Sequence, residues 1–407
     1  MKHLLTVFSI VWLSIIAVGQ DEIHRNFPFE AKGEIEIMNA RGEIHVTGWD
    51  EAKVQIDAFK KGDRTLFEQV QLNLTEEAKY LKIGVKYPAT NWNTRTGVTL
   101  ELHVKVPRGA ALKAINSSSG SISIANLDGV VLAQSISGDI FCNDLKNNCD
   151  LSSNSGQIVA AKIEGLMDAR TLSGDIRLES IGGNVRANST SGDIALRSLR
   201  SKAFAATTSG DLNIEQVAGT VTASATSGDL IIKDIGGDLN INNVSGDITV
   251  ANVTGRATVS GINTTTIMHS IGAGVRITSV SGDVELAEIK GLTEVRSTNG
   301  DITLKLIDSS EVQINSHSGT IIFDGEFKEN GRYNFESFNG DITVYVAASS
   351  NFSVSAKSFN GEISNDFDFK PVGTRPTKLQ GSHGNESGAN ITIVSFSSDV
   401  NLRKKKK

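Results

Sequence analysis

The amino-acid sequence predicts an all-β fold, a parallel β-solenoid (β-helix) in which each coil takes about 18 residues. Three observations support this prediction: a glycine that returns every 18 residues, apolar columns in phase with that glycine, and the composition. With 39 glycines, 5 prolines and an aromatic content of 6%, the chain is typical of many short strands joined by tight turns.

The recurring glycine belongs to a Ser-Gly-Asp motif that is followed by Ile, Leu or Val. We call the glycines in this phase the comb glycines and count the positions of each coil from them. A strict period this short indicates stacked repeats. An antiparallel sandwich is the alternative, because turns nine residues apart also suit hairpins; the constant phase favours the solenoid. Thr264 takes the glycine's place once, and the comb glycines are Gly120, Gly138, Gly156, Gly174, Gly192, Gly210, Gly228, Gly246, Gly282 and Gly300.

The apolar columns predict the inward face of each coil. Positions +2, +4 and +7 are apolar in nearly every coil, as in Ile176, Leu178 and Ile181. Alternation with a period of two predicts strands, since successive side chains point to opposite faces. The alternation breaks between +4 and +7 and again at the comb glycine, which predicts two corners. We therefore expect equivalent strands of successive coils to pair in parallel.

The first residues resemble a secretory signal peptide, residues 1–19. Lys2 and His3 precede an apolar run, and Ala17-Val18-Gly19 supplies small residues for cleavage. A membrane anchor is the alternative, although the run is short for a spanning helix. We expect an exported mature chain without a transmembrane span, in the periplasm, at the outer-membrane surface or outside the cell.

The remaining chain divides into four predicted regions. Residues 20–110 form an irregular β cap, and residues 111–308 form the regular 18-residue coils. Residues 309–402 form wider coils and a second cap, because the step lengthens at Gly319, Gly340 and Gly361; residues 403–407 are a basic tail. Irregular ends are expected because a solenoid must protect its open strand edges. We predict strands at 53–58, 80–85, 98–106 and 390–396 and a loop at 371–388.

A column of aspartates follows the comb glycines and invites two interpretations. Carboxylates in a row can bind Ca²⁺, which takes six to eight oxygens. The calcium-binding solenoid repeat has a nine-residue period, however, so a structural role in the turn is favoured, with Asp and the adjacent Ser bonding turn amides. We predict no metal site at this column, which consists of Asp139, Asp175, Asp193, Asp211, Asp229, Asp247, Asp283 and Asp301.

The sequence gives no support for catalysis. It shows no nucleophile elbow, phosphate loop or zinc-ligand spacing. Outward charges such as Arg177, Glu285 and Lys305 are typical of a solvated face, and Thr190, Thr208 and Thr226 form too short a run for an ice-binding array. We expect no enzyme activity, no catalytic residue and no cofactor. The histidines are scattered without a recurring partner, at His24, His45, His103, His269, His317 and His383.

The charge of the chain gives no support for a nucleic-acid partner. The net charge of −6 is mild for this length, and we expect no binding to nucleic acid. The basic tail is either a solvated end or a contact for anionic lipid or polysaccharide.

Cys142 and Cys149 lie at positions +4 and +11 of one coil, both inward and on different walls. A disulfide across the coil is one interpretation for an oxidising compartment. Two buried thiols that pack as small hydrophobes are the other. A disulfide is possible only if the two walls lie close enough together, since bonded cysteines need Cα atoms within about 7 Å.

Three segments resemble the bacterial putative-adhesin family, a group of exported β-strand-repeat proteins of unknown function. They are Ile44-His45-Val46-Thr47-Gly48-Trp49-Asp50, Val104-Lys105-Val106-Pro107 and the reiterated Ser-Gly-Asp-Ile. The resemblance runs from about Phe29 to Leu402. It implies binding at the cell envelope, names no ligand and transfers no catalytic residue.

We therefore expect a non-enzymatic adhesion or scaffold protein of the cell envelope that presents a rigid surface to an envelope or extracellular ligand, either glycan or protein. A polysaccharide-binding or polysaccharide-cleaving β-helix is the alternative. The ligand is expected to bind on the irregular outward faces, the aromatic C-terminal coils or the N-terminal cap.

Overall fold

The computed structural model describes residues 21–88, 97–369, 377–384 and 388–405; the predicted signal peptide lies outside them. The described residues form 38 strands and one 3-10 helix, Arg64–Gln69. In chain order, the strands are Glu22–Pro28 (β1), Glu34–Asn39 (β2), Ile44–Trp49 (β3), Lys53–Gly62 (β4), Gln71–Glu76 (β5), Tyr80–Lys86 (β6), Val98–Pro107 (β7), Ala111–Ser117 (β8), Ile122–Leu127 (β9), Val131–Ser135 (β10), Ile140–Leu145 (β11), Cys149–Ser153 (β12), Ile158–Ile163 (β13), Met167–Thr171 (β14), Ile176–Ile181 (β15), Val185–Ser189 (β16), Ile194–Leu199 (β17), Ala203–Ser209 (β18), Leu212–Val217 (β19), Val221–Ser227 (β20), Leu230–Ile235 (β21), Leu239–Ser245 (β22), Ile248–Val253 (β23), Ala257–Asn263 (β24), Thr266–Ile271 (β25), Val275–Ser281 (β26), Val284–Ile289 (β27), Thr293–Asn299 (β28), Ile302–Lys305 (β29), Glu311–Ser318 (β30), Ile321–Asp324 (β31), Arg332–Asn339 (β32), Ile342–Val346 (β33), Phe352–Ser358 (β34), Ile363–Asn365 (β35), Lys378–His383 (β36), Ala389–Ser395 (β37) and Val400–Lys404 (β38).

The strands form two walls that enclose one apolar core, which confirms the predicted β-solenoid. Odd-numbered strands from β9 to β33 build the first wall and even-numbered strands from β8 to β34 build the second. Each strand pairs in parallel with its equivalent one coil later, so that Ile140 lies against Ile158 and Leu145 against Ile163. The +2, +4 and +7 columns are buried as predicted, and the stacked Ile, Leu and Val side chains fill the space between the walls.

The comb glycine occupies a corner where consecutive coils touch through their backbones. A Cβ atom on Gly138 would lie 2.1 Å from the carbonyl oxygen of Gly120, which no side chain tolerates. In the first coils the glycine amide donates to a buried hydroxyl three residues earlier, as Gly138 does to Ser135 Oγ at 2.8 Å. This hydroxyl, and not the serine next to the glycine, supports the turn. The close approach explains why glycine recurs with the period of the coil.

The aspartate column supports the same corner, as predicted. The carboxylate of Asp175 accepts the backbone amide of Asp193 at 3.0 Å, and the carboxylate of Asp193 accepts the amide of Asp211 at 2.8 Å. Seven of the eight aspartates in the column connect their coil to the next one in this way.

The second corner lies between positions +4 and +7, where the alternation breaks. The residue at +6 adopts a left-handed conformation in every coil from Asn126 (φ 61°) to Leu306 (φ 52°). Non-glycine residues rarely adopt positive φ, and polar residues dominate here because they tolerate it best. This residue turns the chain so that +7 again points into the core.

The N-terminal cap retains the coil register and adds antiparallel strands. β2 and β3 stack in parallel on β8 and β9, with Ile37 against Ile115 and Ile44 against Ile122. β4 pairs antiparallel with β7 and with β1, and β5 pairs antiparallel with β6. The strands predicted at 53–58, 80–85 and 98–106 are present as β4, β6 and β7.

The C-terminal coil is inserted between two coils that precede it in the chain. β38 pairs with β33 on one side and β35 on the other, and β37 lies between β32 and β34. Gly361 therefore contacts Ser398 and not Gly340. The order of stacking thus differs from the order of the sequence. The predicted loop at 371–388 also contains a strand, β36, and the strand predicted at 390–396 is β37.

Cys142 and Cys149 are free thiols in the structure, and both are buried. They belong to the consecutive strands β11 and β12, one on each wall. A hydrogen bond with Cys142 and burial raise the pKa of the Cys149 thiol well above its ordinary value. The disulfide stays a prediction.

The assignment of the core columns predicts a sharp contrast between neighbouring positions. Leu178→Asp would place an unpaired charge in the core and should cost more than about 4 kcal/mol in the free energy of unfolding. Arg177→Asp, on the solvent side of the same strand, should change it by less than about 0.5 kcal/mol. Urea unfolding followed by circular dichroism measures both, and an unchanged midpoint for Leu178→Asp would refute the assignment.

The coil with Thr264 predicts a coupled pair of substitutions. A Cβ on Gly261 would lie 2.1 Å from Thr264 Oγ1, so the threonine side chain occupies the place of the corner hydroxyl of other coils. Gly261→Ser alone should therefore overpack the corner and cost about 1–3 kcal/mol. The double variant Gly261→Ser/Thr264→Gly restores the usual corner and should recover most of that loss. A double-mutant cycle by urea unfolding tests the coupling; additive effects would contradict it.

Oxidation of the cysteine pair is the third prediction. We expect oxidised glutathione to accept two electrons and two protons from Cys142 and Cys149, which leaves an intramolecular disulfide. Alkylation in denaturant without reduction, followed by mass spectrometry, should then find both residues protected. Cys142→Ser is the control, in which Cys149 should be alkylated or carry one glutathione, because no partner thiol is present to displace the glutathione. Alkylation of both cysteines after oxidation would contradict the disulfide.

Candidate functional site

A ladder of exposed side chains follows the comb-glycine corner along the solenoid. Its members lie two residues before the comb position in the coils from Gly138 onward, and we call them the corner ladder; Ser118, which precedes Gly120, is only half-exposed and is not counted. They are apolar, threonine or aromatic with one exception, Asn154, and none is Asp, Glu, Lys or Arg. In spatial order, the described residues of the corner ladder are Ile136, Asn154, Leu172, Thr190, Thr208, Thr226, Val244, Ile262, Val280, Thr298, His317, Phe338, Phe396 and Phe359.

The ladder ends in a stack of four rings. The ring centroids of His317 and Phe338 are 5.0 Å apart at an interplanar angle of 13°, and those of Phe338 and Phe396 are 4.6 Å apart at 6°. Phe359 follows at 5.2 Å from Phe396, and the ammonium group of Lys357 lies 4.0 Å from the Phe359 centroid. Phe338, Phe396 and Phe359 keep 43%, 40% and 50% of their surface exposed.

The strand alternation positions this ladder. The residue three before the comb position is buried in each of these coils, so the next residue must point outward. Each coil repeats this geometry, and the outward side chains therefore stack at the spacing of parallel strands. Insertion of the C-terminal coil places Phe396 between Phe338 and Phe359 and completes the ring stack.

Contiguous exposed apolar surface of this kind marks interaction sites in soluble proteins. Many outward charges of the walls are paired within the chain instead, as Lys305 is with Glu285 at 2.8 Å. The ladder offers apolar contact without the desolvation of a charge. Sequence inspection missed it, although the signal was present in the column two residues before each comb glycine.

The basic tail contacts the solenoid. Arg403 and Lys404 belong to β38. Arg403 pairs with Asp366 at 3.1 Å, and Lys405 pairs with Asp324 at 2.5 Å. The described tail residues are thus bound to the protein's own C-terminal coils.

The structure brings three of the scattered histidines to one face of the N-terminal cap. His24, His45 and His103 lie in one row across β1, β4, β7 and β3. His24 contacts Asp57 at 2.7 Å, which raises the pKa of the imidazole. Lys61 and His103 both bond Glu101 and lower the pKa of its carboxyl. His269 and His383 lie elsewhere in the solenoid.

No helix among the described residues has the length and hydropathy needed to cross a membrane.

Three solved structures show low similarity to this chain. A "putative cell adhesion protein" from Clostridium sporogenes is 10% identical, with 94% of this chain and 100% of that chain covered and a TM-score of 0.16. A "putative lipid binding protein" from Parabacteroides distasonis is 17% identical, covering 73% and 96%, with a TM-score of 0.28. A "putative adhesin" from Bacteroides fragilis is 14% identical, covering 70% and 96%, with a TM-score of 0.25.

No curated protein is significantly similar to the chain. The model of the Toastrack DUF4097 family matches residues 29–251 and 220–403, which together span almost all of the solenoid. This match confirms the family resemblance expected from the repeated motif and the cap. The chain therefore belongs to the Toastrack DUF4097 family.

Proposed function

We propose that this chain is a non-enzymatic adhesion or scaffold protein of the cell envelope and that it binds a protein partner through the corner ladder. The observation that carries the proposal is the exposed ring stack of Phe338, Phe396 and Phe359 at the end of an uncharged ladder. Such a surface gains free energy when a partner removes it from water.

The geometry of the rings favours a protein over a polysaccharide. A sugar that stacks on an aromatic side chain needs an open ring face. Here Phe338 and Phe396 are nearly parallel, so their faces cover each other and their edges point to solvent. The ammonium group of Lys357 lies over the ring of Phe359. Ring edges of this kind fit an apolar protein surface, because they pack against aliphatic and aromatic side chains.

The rigidity of the solenoid supports a binding role. Every residue of the corner ladder lies on, or directly after, a strand that is hydrogen-bonded to both neighbours, as β22 is to β20 and β24. Little conformational entropy is lost when such a surface binds, which leaves more of the contact energy for affinity.

The side chains of the corner ladder offer few groups that could act in catalysis. Its apolar and threonine side chains hold no general acid or base, and its one imidazole, His317, stacks on Phe338. The proposal is therefore a binding function, and export rests on the signal-peptide pattern of residues 1–19.

Removal of the ring stack should abolish adhesion without unfolding the protein. Each phenylalanine still exposes two fifths to a half of its surface, so the triple variant Phe338→Ser/Phe359→Ser/Phe396→Ser should weaken binding at least about 10-fold. Fluorescent protein is added to intact cells of the producing bacterium, before and after protease treatment of the cells, and bound fluorescence is measured. We expect protease-sensitive binding that the triple variant loses.

Phe141→Ser is the matched control, because Phe141 is also an exposed phenylalanine but lies on the flat first wall. Circular dichroism and thermal melting confirm that all variants fold. Binding to a glycan array that survives the triple variant would contradict the proposed partner, and product analysis on any glycan bound would detect cleavage.

A further inference from the structure

Two histidines and a glutamate converge on the outer face of the first wall, away from the corner ladder. His45 on β3 and His103 on β7 are paired across parallel strands, so their side chains leave the sheet side by side. The ring centroids are 4.6 Å apart at an interplanar angle of 30°. Glu101 precedes His103 by two residues and therefore projects from the same face.

The donor atoms of these side chains point at one another. Glu101 Oε1 lies 2.7 Å from His103 Nε2 and 3.9 Å from His45 Nε2. All three donor atoms lie within 4.8 Å of one another. The second carboxylate oxygen of Glu101 is held by Lys61, which keeps Oε1 directed toward the imidazoles.

We propose that His45, His103 and Glu101 form a binding site for a divalent transition-metal ion of the Zn²⁺, Ni²⁺ and Cu²⁺ class. Imidazole nitrogen suits these ions, whereas Ca²⁺ and Mg²⁺ require oxygen ligands. Two histidines with one carboxylate give three protein ligands and leave a position open for water or another ligand.

Small side-chain movements suffice to close the site. Ligand atoms about 2.0–2.2 Å from a tetrahedral zinc ion lie about 3.4 Å apart, so donor atoms that are now within 4.8 Å need to approach by at most about 1.5 Å. The 2.7 Å contact between Glu101 Oε1 and His103 Nε2 has to widen by about 0.7 Å. The side chains of His45 and His103 are 34% and 45% exposed, so part of each ring borders solvent, while the side chain of Glu101 is 14% exposed and held by Lys61. The ion would replace the present contacts between the imidazoles and the carboxylate.

Glu43 is the nearest candidate for a fourth ligand. Its Oε2 atom lies 3.0 Å from His45 Nε2. Glu43 precedes His45 by two residues and therefore projects from the same face of the wall. Two carboxylates would balance the charge of a divalent ion, and the ammonium group of Lys61 would remain on Glu101.

The test uses isothermal titration calorimetry of the untagged mature chain with ZnCl₂ and NiCl₂. We expect one equivalent of metal per chain. His45→Ala, His103→Ala and Glu101→Gln should each weaken binding at least about 10-fold, whereas His269→Ala, an exposed histidine on β25, should leave it unchanged.

Thermal melting separates a metal site from a purely structural cluster. Zinc should raise the melting temperature of the wild-type chain and of His269→Ala, since a ligand bound to the folded state stabilises it, but not that of His45→Ala/His103→Ala. The melting temperature without metal should be similar for all variants. Absence of heat and of a thermal shift in the wild type, or equal binding by the double variant, would overturn the proposal.

Discussion

The structure depends on the close approach of backbones at the comb-glycine corner. Gly138 lies so near the carbonyl of Gly120 that a methyl group does not fit, and the same contact recurs up the solenoid. This contact fixes the rise of one coil onto the next and brings each aspartate within reach of the following backbone amide. The apolar columns then stack in register, because every coil starts from the same point. The 18-residue period of the sequence therefore reflects the close backbone contact that each coil makes at its comb glycine.

Two coils without a glycine at the comb position show that the corner requires correct packing and not glycine itself. Where Thr264 replaces the comb glycine, the residue three places earlier becomes Gly261, and the threonine side chain fills the vacated position. In the last coil Ser398 takes the comb position, and its hydroxyl accepts the amide of Gly340 at 2.9 Å. At both sites the corner keeps its packing although the motif is altered.

The sequence predicted the coil well because its information is local and repeated. The buried columns, the bend before position +7 and the role of the aspartates all follow from strand alternation and turn chemistry. Three features escaped prediction for physical reasons. The C-terminal coil is inserted out of order, and its Ser-Gly-Asp motif is not recognisable because Ser398 replaces the comb glycine. His45 and His103 are brought together by the pairing of strands that are distant in the sequence. The corner ladder results from stacking and is visible only when the outward positions are aligned coil by coil.

The residue that supports the corner and the residue of the proposed binding surface are neighbours in the chain. Ser135 is buried and bonds the amide of Gly138, whereas the next residue, Ile136, is exposed on the ladder. The inward residue is restricted by the corner, but the outward one meets only its neighbours above and below. The residues of the corner ladder can therefore change from isoleucine to threonine to phenylalanine along about 13 turns, or roughly 60 Å, while the corner stays the same. A solenoid built in this way can alter its outward surface without altering how it folds.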